Sequence, residues 1–447
     1  MKKIGYINQN AAIQPFRIAF MTLGCKVNQY ETDCIQKEFA DLGFLIVHEK
    51  ESADVYIVNT CTVTAEADRK SGQMIRRASR INENAIVAAM GCSIEVQKEN
   101  EDAAQIAVGT KNRSAIVGQV IEQLQKKYKE NFFSTSGIIS EMEEIDCTYR
   151  IPDEKSRAYI KIEDGCDLFC SYCIIPYARG RVKSRAVEEV TLEAAFLAGN
   201  GFCEIVLTGI HLCSYGKDLG GGIEKLADLI EAIALIPGIA RIRLGSLEPK
   251  SMTEEFIARI SKVSKLCAHF HLSLQSGSDA VLDRMNRRYT TSTYRETVKL
   301  LRKYFPDCGI TTDVITAFPA ETKSEHLESL AFCKEMVFSA MHVFPYSERK
   351  GTKAEHIKPK VSKEEMEKRK KELLTTAKEL KTKYAEKWIG RICEVVLEAK
   401  PEQIELSGYT REYMRVHFTC EKKLETGQLY QVLIENEANG DLFGKLV

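Results

Sequence analysis

Three cysteines stand close together in Gly165-Cys166-Asp167-Leu168-Phe169-Cys170-Ser171-Tyr172-Cys173, a CxxxCxxC arrangement. Thiolates are soft ligands that select zinc or iron–sulfur clusters over hard cations, and this spacing lets a single loop close on one centre. A cubane [4Fe–4S] cluster normally takes four cysteines, so three leave one iron open to a ligand that is not protein. A zinc site completed from elsewhere and three structural cysteines are the competing readings. Structural zinc sites usually pair CxxC with a second CxxC or with two histidines, whereas the next histidine here, His211, stands alone.

A second set of thiols is spread along the first hundred residues: Cys25 in Leu23-Gly24-Cys25-Lys26-Val27-Asn28, Cys61 in Asn59-Thr60-Cys61, and Cys92 in Gly91-Cys92. Placing them requires the surrounding elements. Residues 17–22, 54–59, 85–90 and 105–109 are short apolar runs of strand type, alternating with helical spacing over 29–42 and 65–81. Such alternation makes a parallel sheet in a doubly wound α/β layer. Each cysteine then falls just past the carboxyl end of a strand, the edge where open α/β sheets bind ligands. Gly24 and Gly91 suit backbone that turns tightly beside a bulky group. One such cysteine alone is ordinary packing; three at one edge favour a second three-thiolate centre.

From Arg157 onward the pattern changes. Residues 158–162, 204–208, 241–244, 270–274, 311–316 and 341–344 are strand candidates at βα intervals, with the CxxxCxxC loop directly after the first. Six units build a partial (βα)6 barrel with its site at the C-terminal mouth. Residues 362–387 read as one charged helix, capped by Ser362 with Glu365 three positions on. Beyond it, five short alternating strands over 391–447 suggest a small closed β-barrel of the oligonucleotide-binding kind. The expected fold class is α/β with three domains, over residues 16–130, 152–380 and 385–447, and a linker at 131–151.

Composition limits the function. The 447 residues are 44% hydrophobic and 28% charged, ordinary for a soluble globular chain. A formal net charge of zero excludes a wholly basic nucleic-acid coat but not local patches. No apolar run is long enough to span a membrane, and Met1 to Pro15 lacks the apolar core of an export signal. The 15 cysteines are therefore expected as thiols or metal ligands in a reducing cytoplasm.

The CxxxCxxC loop after a first barrel strand resembles the signature of the radical S-adenosylmethionine superfamily. Residues 17–110 in turn resemble the N-terminal domain of the methylthiotransferases. Gly24-Cys25-Lys26-Val27-Asn28-Gln29-Tyr30-Glu31-Thr32, Asn59-Thr60-Cys61-Thr62-Val63-Thr64 and Ala67-Asp68-Arg69-Lys70-Ser71 are similar to the branch that modifies N6-threonylcarbamoyladenosine in tRNA. The C-terminal barrel resembles the RNA-binding TRAM domain, and Leu406 to Met414 looks like the same branch. Two departures stand out. Ser93-Ile94-Glu95 follows Cys92 where a Gln is usual, and Ala317 and Ala320 occupy positions usually held by glycine.

The resemblance implies two [4Fe–4S] clusters, one on Cys166, Cys170 and Cys173 and one on Cys25, Cys61 and Cys92. S-adenosylmethionine would bind the open iron of the first, with Thr208 and Gly209 near its methionine amino group. Its cleavage would yield a radical that abstracts the C2 hydrogen of N6-threonylcarbamoyladenosine at tRNA position 37, beside the anticodon. A methylthio group carried by the second cluster would then transfer to that carbon. No side chain need act as acid or base, and His211, His269 and His271 are read as packing residues. A low-potential electron donor of flavodoxin or ferredoxin type and a sulfur source are implied, with no membrane and a monomeric chain. Other tRNA adenosines or a ribosomal protein side chain are the alternative substrates, and a zinc-dependent RNA-binding module the non-catalytic alternative.

RNA contacts are expected from Arg69, Arg76 and Arg77, beside Lys70 and Arg80, on the helix after Cys61. Arg179, Arg181, Lys183 and Arg185, with Arg284, Arg287 and Arg288, are expected to converge on the barrel mouth for a phosphate-bearing substrate. Tyr409 and Tyr413 would stack on bases, with Arg411 and Arg415 on phosphates.

Overall fold

A computed structural model of the chain describes residues 4–7, 12–134, 151, 156–398, 405–420 and 424–447. The chain divides into two compact units. The first comprises Met1–Ile151 with Gly165–Asp167 and Cys173–Arg181; the second comprises Pro152–Asp164, Leu168–Tyr172 and Val182–Val447.

In the first unit, β1 (Arg17–Thr22), β2 (Leu45–Val47), β3 (Val55–Thr60), β4 (Ile86–Gly91) and β5 (Ile106–Val108) form one parallel sheet in the order β2-β1-β3-β4-β5. Every residue of β3 and β4 is buried, as expected of strands covered on both faces. Ile18, Val55, Ile57 and Ala88 pack against Ile35 and Phe39 of α1 (Lys26–Asp41). Met21, Tyr56, Val58 and Ala89 face the other way, onto Ile75 and Ala78 of α2 (Ala65–Ile81). This is the doubly wound layer, and its strand order reverses between β1 and β3. The sequence reading missed β2, a three-residue edge strand with no buried position. It also missed a small antiparallel sheet of Ile4–Ile7, Ile13–Pro15 and Phe132–Ser134. That last strand opens the expected linker, most of which lies outside the described residues.

In the second unit, β6 (Ala158–Lys161), β7 (Glu204–Thr208) and β8 (Arg241–Leu244) are parallel, as are β9 (His269–Leu272), β10 (Gly309–Thr316) and β11 (Ala340–Pro345). A bridge between Ile242 and Leu266 continues the first set towards the second. These six strands are the expected partial barrel, filled by Ile160, Ile205, Leu207, Ile242, Phe270, Leu272 and Val314. A helix over Lys363–Glu386 begins at Ser362, whose hydroxyl accepts from Glu365 N. It gives Leu373, Ala377 and Leu380 to the large core and Tyr384 and Ala385 to the next. That next core belongs to a closed five-stranded barrel of Ile392–Leu397, Glu405–Thr410, Arg415–Thr419, Leu429–Ala438 and Asp441–Leu446. No helix among the described residues is long and apolar enough to cross a membrane.

Candidate functional site

Cys25, Cys61 and Cys92 follow β1, β3 and β4, three adjacent strands, at their carboxyl ends. Cys25 is the exposed N-cap of α1, Cys61 is buried just past β3, and Cys92 is the buried first residue of α3 (Cys92–Val96). The glycines before two of them are required. Gly24 has φ +123°, and a Cβ there would stand 3.1 Å from the Cys61 Cβ. Gly91 has φ +103°, and its Cβ would stand 2.6 Å from Asn59 Oδ1. Asn28 ties the loops together, its Nδ2 donating to Leu23 O and Thr60 O at 2.9 Å each. Ser71 of α2 accepts from Cys61 N and donates to Cys61 O, both at 3.1 Å. Ser93, where a Gln was expected nearby, is buried and donates to Asp68 Oδ1 at 2.8 Å.

Arg179 corrects the sequence reading. It ends α4 (Ile175–Arg179), the short helix that follows Cys173, and belongs to the first unit. Instead of lining a mouth for phosphates, its side chain is 1% exposed. Nε donates to Cys92 Sγ at 3.1 Å, Nη1 to Glu31 Oε1 at 2.9 Å and Nη2 to Asn28 Oδ1 at 2.8 Å. Burial pushes the Cys92 thiol up to about 11, with the Arg179 charge opposing it. Burial raises Cys61 as well.

The CxxxCxxC loop is held from several sides. In the first unit, Cys166 N donates to Gly180 O at 3.1 Å, and Gly165, at φ +80°, leaves no room for a Cβ, which would stand 1.9 Å from Arg181 O. In the second, Ser171 N donates to Met285 O at 2.9 Å and Ser171 Oγ to Arg284 O at 2.7 Å. Cys170 is buried and accepts from Arg287 Nη1 at 3.2 Å. Arg287 also donates to Tyr289 OH at 3.1 Å and lies 3.6 Å from Glu248 Oε1, with its side chain 7% exposed. The expected RNA role of Arg287 is therefore replaced by a contact to a loop thiol. Arg284 is taken by Glu325 at 2.7 Å and Arg185 by Glu193 at 2.7 Å, so the expected basic rim reduces to the exposed Arg288 and Lys183 and to Arg181, which pairs with Asp167 at 3.1 Å.

Thr208 ends β7 and is buried. A Cβ on Gly209 would stand 2.7 Å from Glu163 Oε2. That carboxyl accepts from His211 N at 2.8 Å, while its Oε1 is buried without a hydrogen-bond partner. Burial pushes Glu163 up to about 8, against the pull of the His211 and Ile210 amides. His211 sits 2.6 Å from Ser214 Oγ and 3.6 Å from Glu248 Oε2. His269 and His271 each meet Thr311 Oγ1 at 3.0 Å. Ala317 and Ala320 adopt φ +57° and +60°, the left-handed region in which glycine is at home.

The remaining expected RNA residues separate into two groups. Arg69, Lys70, Arg76, Arg77 and Arg80 are all exposed on α2, with Arg69 paired to Glu66 and Arg77 3.6 Å from Glu49. Tyr409 and Arg411 do not present an open surface. The Tyr409 and Tyr413 rings stack at 4.7 Å, Tyr413 stacks on His269 at 4.7 Å, and Arg157 and Arg243 lie over them. Arg411 donates to Leu266 O at 2.9 Å and also to Ser264 O. The turn is a joint between the small barrel and the large one because Arg241 and Arg243, alternate residues on β8, point out of the apolar barrel core. They end on the carbonyls of Tyr409, Thr410 and Arg411 and on the fully buried Glu204.

Among the described residues, no three His, Cys, Asp or Glu side chains are gathered tightly enough to hold one metal ion. The cysteine ligands of a cubane stand on separate corners, farther apart than ligands sharing one ion. Three soft thiols at one strand edge and three in one glycine-bounded loop are a donor set that fits such clusters.

Comparison with known proteins agrees with this layout. Residues 17–110 match a family described as "Uncharacterized protein family UPF0004", and residues 160–333 match the radical SAM superfamily. The fold resembles that of the radical S-adenosylmethionine methyltransferase TsrM from Kitasatospora setae, with a TM-score of 0.51 and 14% identity over 74% of this chain and 75% of that one. These matches define a radical SAM protein with a UPF0004 domain. The chain is 38% identical to the threonylcarbamoyladenosine tRNA methylthiotransferase MtaB of Bacillus subtilis, over 90% of each chain. It is 39% identical to MtaB of Aquifex aeolicus, over 82% of this chain and 88% of that protein. It is also 33% identical to a tRNA-2-methylthio-N(6)-dimethylallyladenosine synthase of Alkaliphilus oremlandii, over 95% and 92%. The chain belongs to the tRNA methylthiotransferase family, of the MtaB type.

Proposed function

We propose that this protein transfers a methylthio group to C2 of N6-threonylcarbamoyladenosine in tRNA, at the position 37 nucleoside beside the anticodon. The observation that carries the reading is the pairing of two three-cysteine sets, each at the C-terminal edge of parallel strands, in a chain of MtaB type. Cys166, Cys170 and Cys173 would hold one [4Fe–4S] cluster, and Cys25, Cys61 and Cys92 the other. With S-adenosylmethionine bound, these groups supply a radical for a C–H bond that acid–base chemistry cannot open and a methylated sulfur to replace the hydrogen.

The chain's own residues position and protect. Gly209 lets the loop after β7 pass close to Glu163, and Thr208 and Gly209 would lie beside the methionine amino group. Glu163 Oε1, buried and without a hydrogen-bond partner, lies at the same place. The exposed arginines of α2, Arg69, Arg76 and Arg77, would take tRNA phosphates, with Arg415 on the small barrel. Reducing equivalents would come from a flavodoxin- or ferredoxin-type donor, and the added sulfur from a separate source.

Expression in a bacterial strain whose tRNA carries N6-threonylcarbamoyladenosine but lacks its 2-methylthio form tests this. The nucleoside digest should gain the 2-methylthio form with the parent protein and fail to do so when either cysteine triad is replaced by alanine. Gain of 2-methylthio-isopentenyladenosine instead would move the chain to the other substrate.

A further inference from the structure

The segment that leaves the CxxxCxxC loop ends within the other cysteine set, and the residue it delivers there is a cation. Arg179 lies six positions after Cys173, on a helix whose end is fixed by a hydrogen bond from Thr110 Oγ1 to Ala178 O. Its guanidinium is enclosed and always charged. Two nitrogens face the Glu31 carboxylate, at 2.9 and 3.2 Å. Arg113 meets the same carboxylate. The third edge of the Arg179 guanidinium is turned the other way, with Nε donating to Cys92 Sγ at 3.1 Å.

The guanidinium also sets geometry. Asn28, which accepts from Arg179 Nη2, is the residue that clamps Leu23 O ahead of Cys25 and Thr60 O ahead of Cys61. The Cys25 thiol lies 3.6 Å from the same Asn28 oxygen. One buried side chain thus registers all three cysteine loops.

We propose that Arg179 is a positioning and charge-balancing residue for the cluster held by Cys25, Cys61 and Cys92. The inference rests on the two-cluster reading above. Three thiolates outweigh the charge of an oxidised cubane core, so the assembled centre is anionic, and an enclosed cation that donates to one ligand sulfur stabilises it and makes it easier to reduce. Hydrogen bonds to the sulfurs and net local charge are the levers that set such potentials. The arrangement also ties the cluster's surroundings to Cys173, a short helix away along the chain.

The test uses the full chain carrying Cys166→Ala, Cys170→Ala and Cys173→Ala, so that only this centre can assemble, reconstituted anaerobically with iron and sulfide. Iron per chain, loss of iron to a chelator and the midpoint potential from an EPR-monitored titration are compared with and without Arg179→Gln and Arg179→Lys. Arg179→Gln is expected to move the potential to more negative values and to lose iron roughly tenfold faster, with Arg179→Lys between the two. Thermal melting of the iron-free proteins reports folding separately. A purely structural role would lower melting and iron together while the cluster that does assemble titrates unchanged, and an unchanged potential overturns the proposal. A parent that assembles no cluster would instead overturn the two-cluster reading, and this inference with it.

Discussion

Arg243 Nε donates to Glu204 Oε1 at 2.7 Å with neither side chain reachable by water. Arg241 and Arg157 stand within 3.5 and 3.7 Å of the same carboxylate. Burial works to raise Glu204, and these guanidiniums overcome it and hold the carboxyl below its ordinary range. Glu204→Gln leaves three enclosed cations short of a counter-charge and is expected to cost about 3–5 kcal/mol of stability by urea unfolding. Because the folded-state pKa is depressed, the contribution is fully present above the ordinary carboxylate range and is lost as the pH falls below that range and through the depressed folded value. The variant should therefore show a weaker loss of stability in acid than the parent.

Glu163 has the opposite sign. Its folded-state pKa, about 8, lies above the 4.5 of a free glutamate, so the fold keeps a proton that the unfolded chain releases. Stability should fall as the pH rises from about 4.5 to about 8. Glu163→Gln removes this slope, so the variant should gain on the parent in melting temperature at pH 8.5 and match it at pH 4. A parallel pair of curves would refute the assignment.

Arg287 separates a loop-thiol role from an RNA role. Arg287→Gln is expected to leave the tRNA dissociation constant and its salt dependence unchanged while cutting 5′-deoxyadenosine formation roughly tenfold or more. Arg76→Gln with Arg77→Gln should do the reverse, weakening tRNA binding and reducing the salt slope by about one per charge removed. Filter binding at several salt concentrations, beside chromatography of cleaved cofactor, reads both.

Ala317 and Ala320 each hold a left-handed backbone, at φ +57° and +60°. The Ala317 amide donates to Glu321 Oε2 at 2.7 Å and the Ala320 amide to Pro359 O at 2.8 Å, so the turn is fixed despite the strain. Ala317→Gly and Ala320→Gly should each stabilise by roughly 0.5–1 kcal/mol, the relief of strain partly offset by the entropy of glycine. Destabilisation in the melt would show that the methyl groups pack usefully.

The two cysteine sets were legible because strand periodicity places them without tertiary information: Cys25, Cys61 and Cys92 fall where apolar runs end, and β3 and β4 are buried throughout. The six barrel strands and the small barrel were legible for the same reason. The destinations of long cationic side chains were not. Nothing local distinguishes Arg179, which ends beside Cys92, from Arg181, with a side chain 75% exposed. Arg241 and Arg243 did carry a signal, since two cations on one face of a buried strand demand acceptors elsewhere. Following it would have assigned the turn at Tyr409 to Tyr413 to an internal joint rather than to RNA.

Methylthiolation is tested most directly on tRNA itself. Protein reconstituted anaerobically with iron and sulfide is incubated with S-adenosylmethionine, a low-potential reductant and tRNA carrying N6-threonylcarbamoyladenosine, and the nucleosides are analysed by mass spectrometry. The 2-methylthio nucleoside is expected, and is expected to be absent when Cys61→Ala or Cys170→Ala protein is used. Unchanged tRNA from a preparation that holds both clusters and still releases 5′-deoxyadenosine would contradict it.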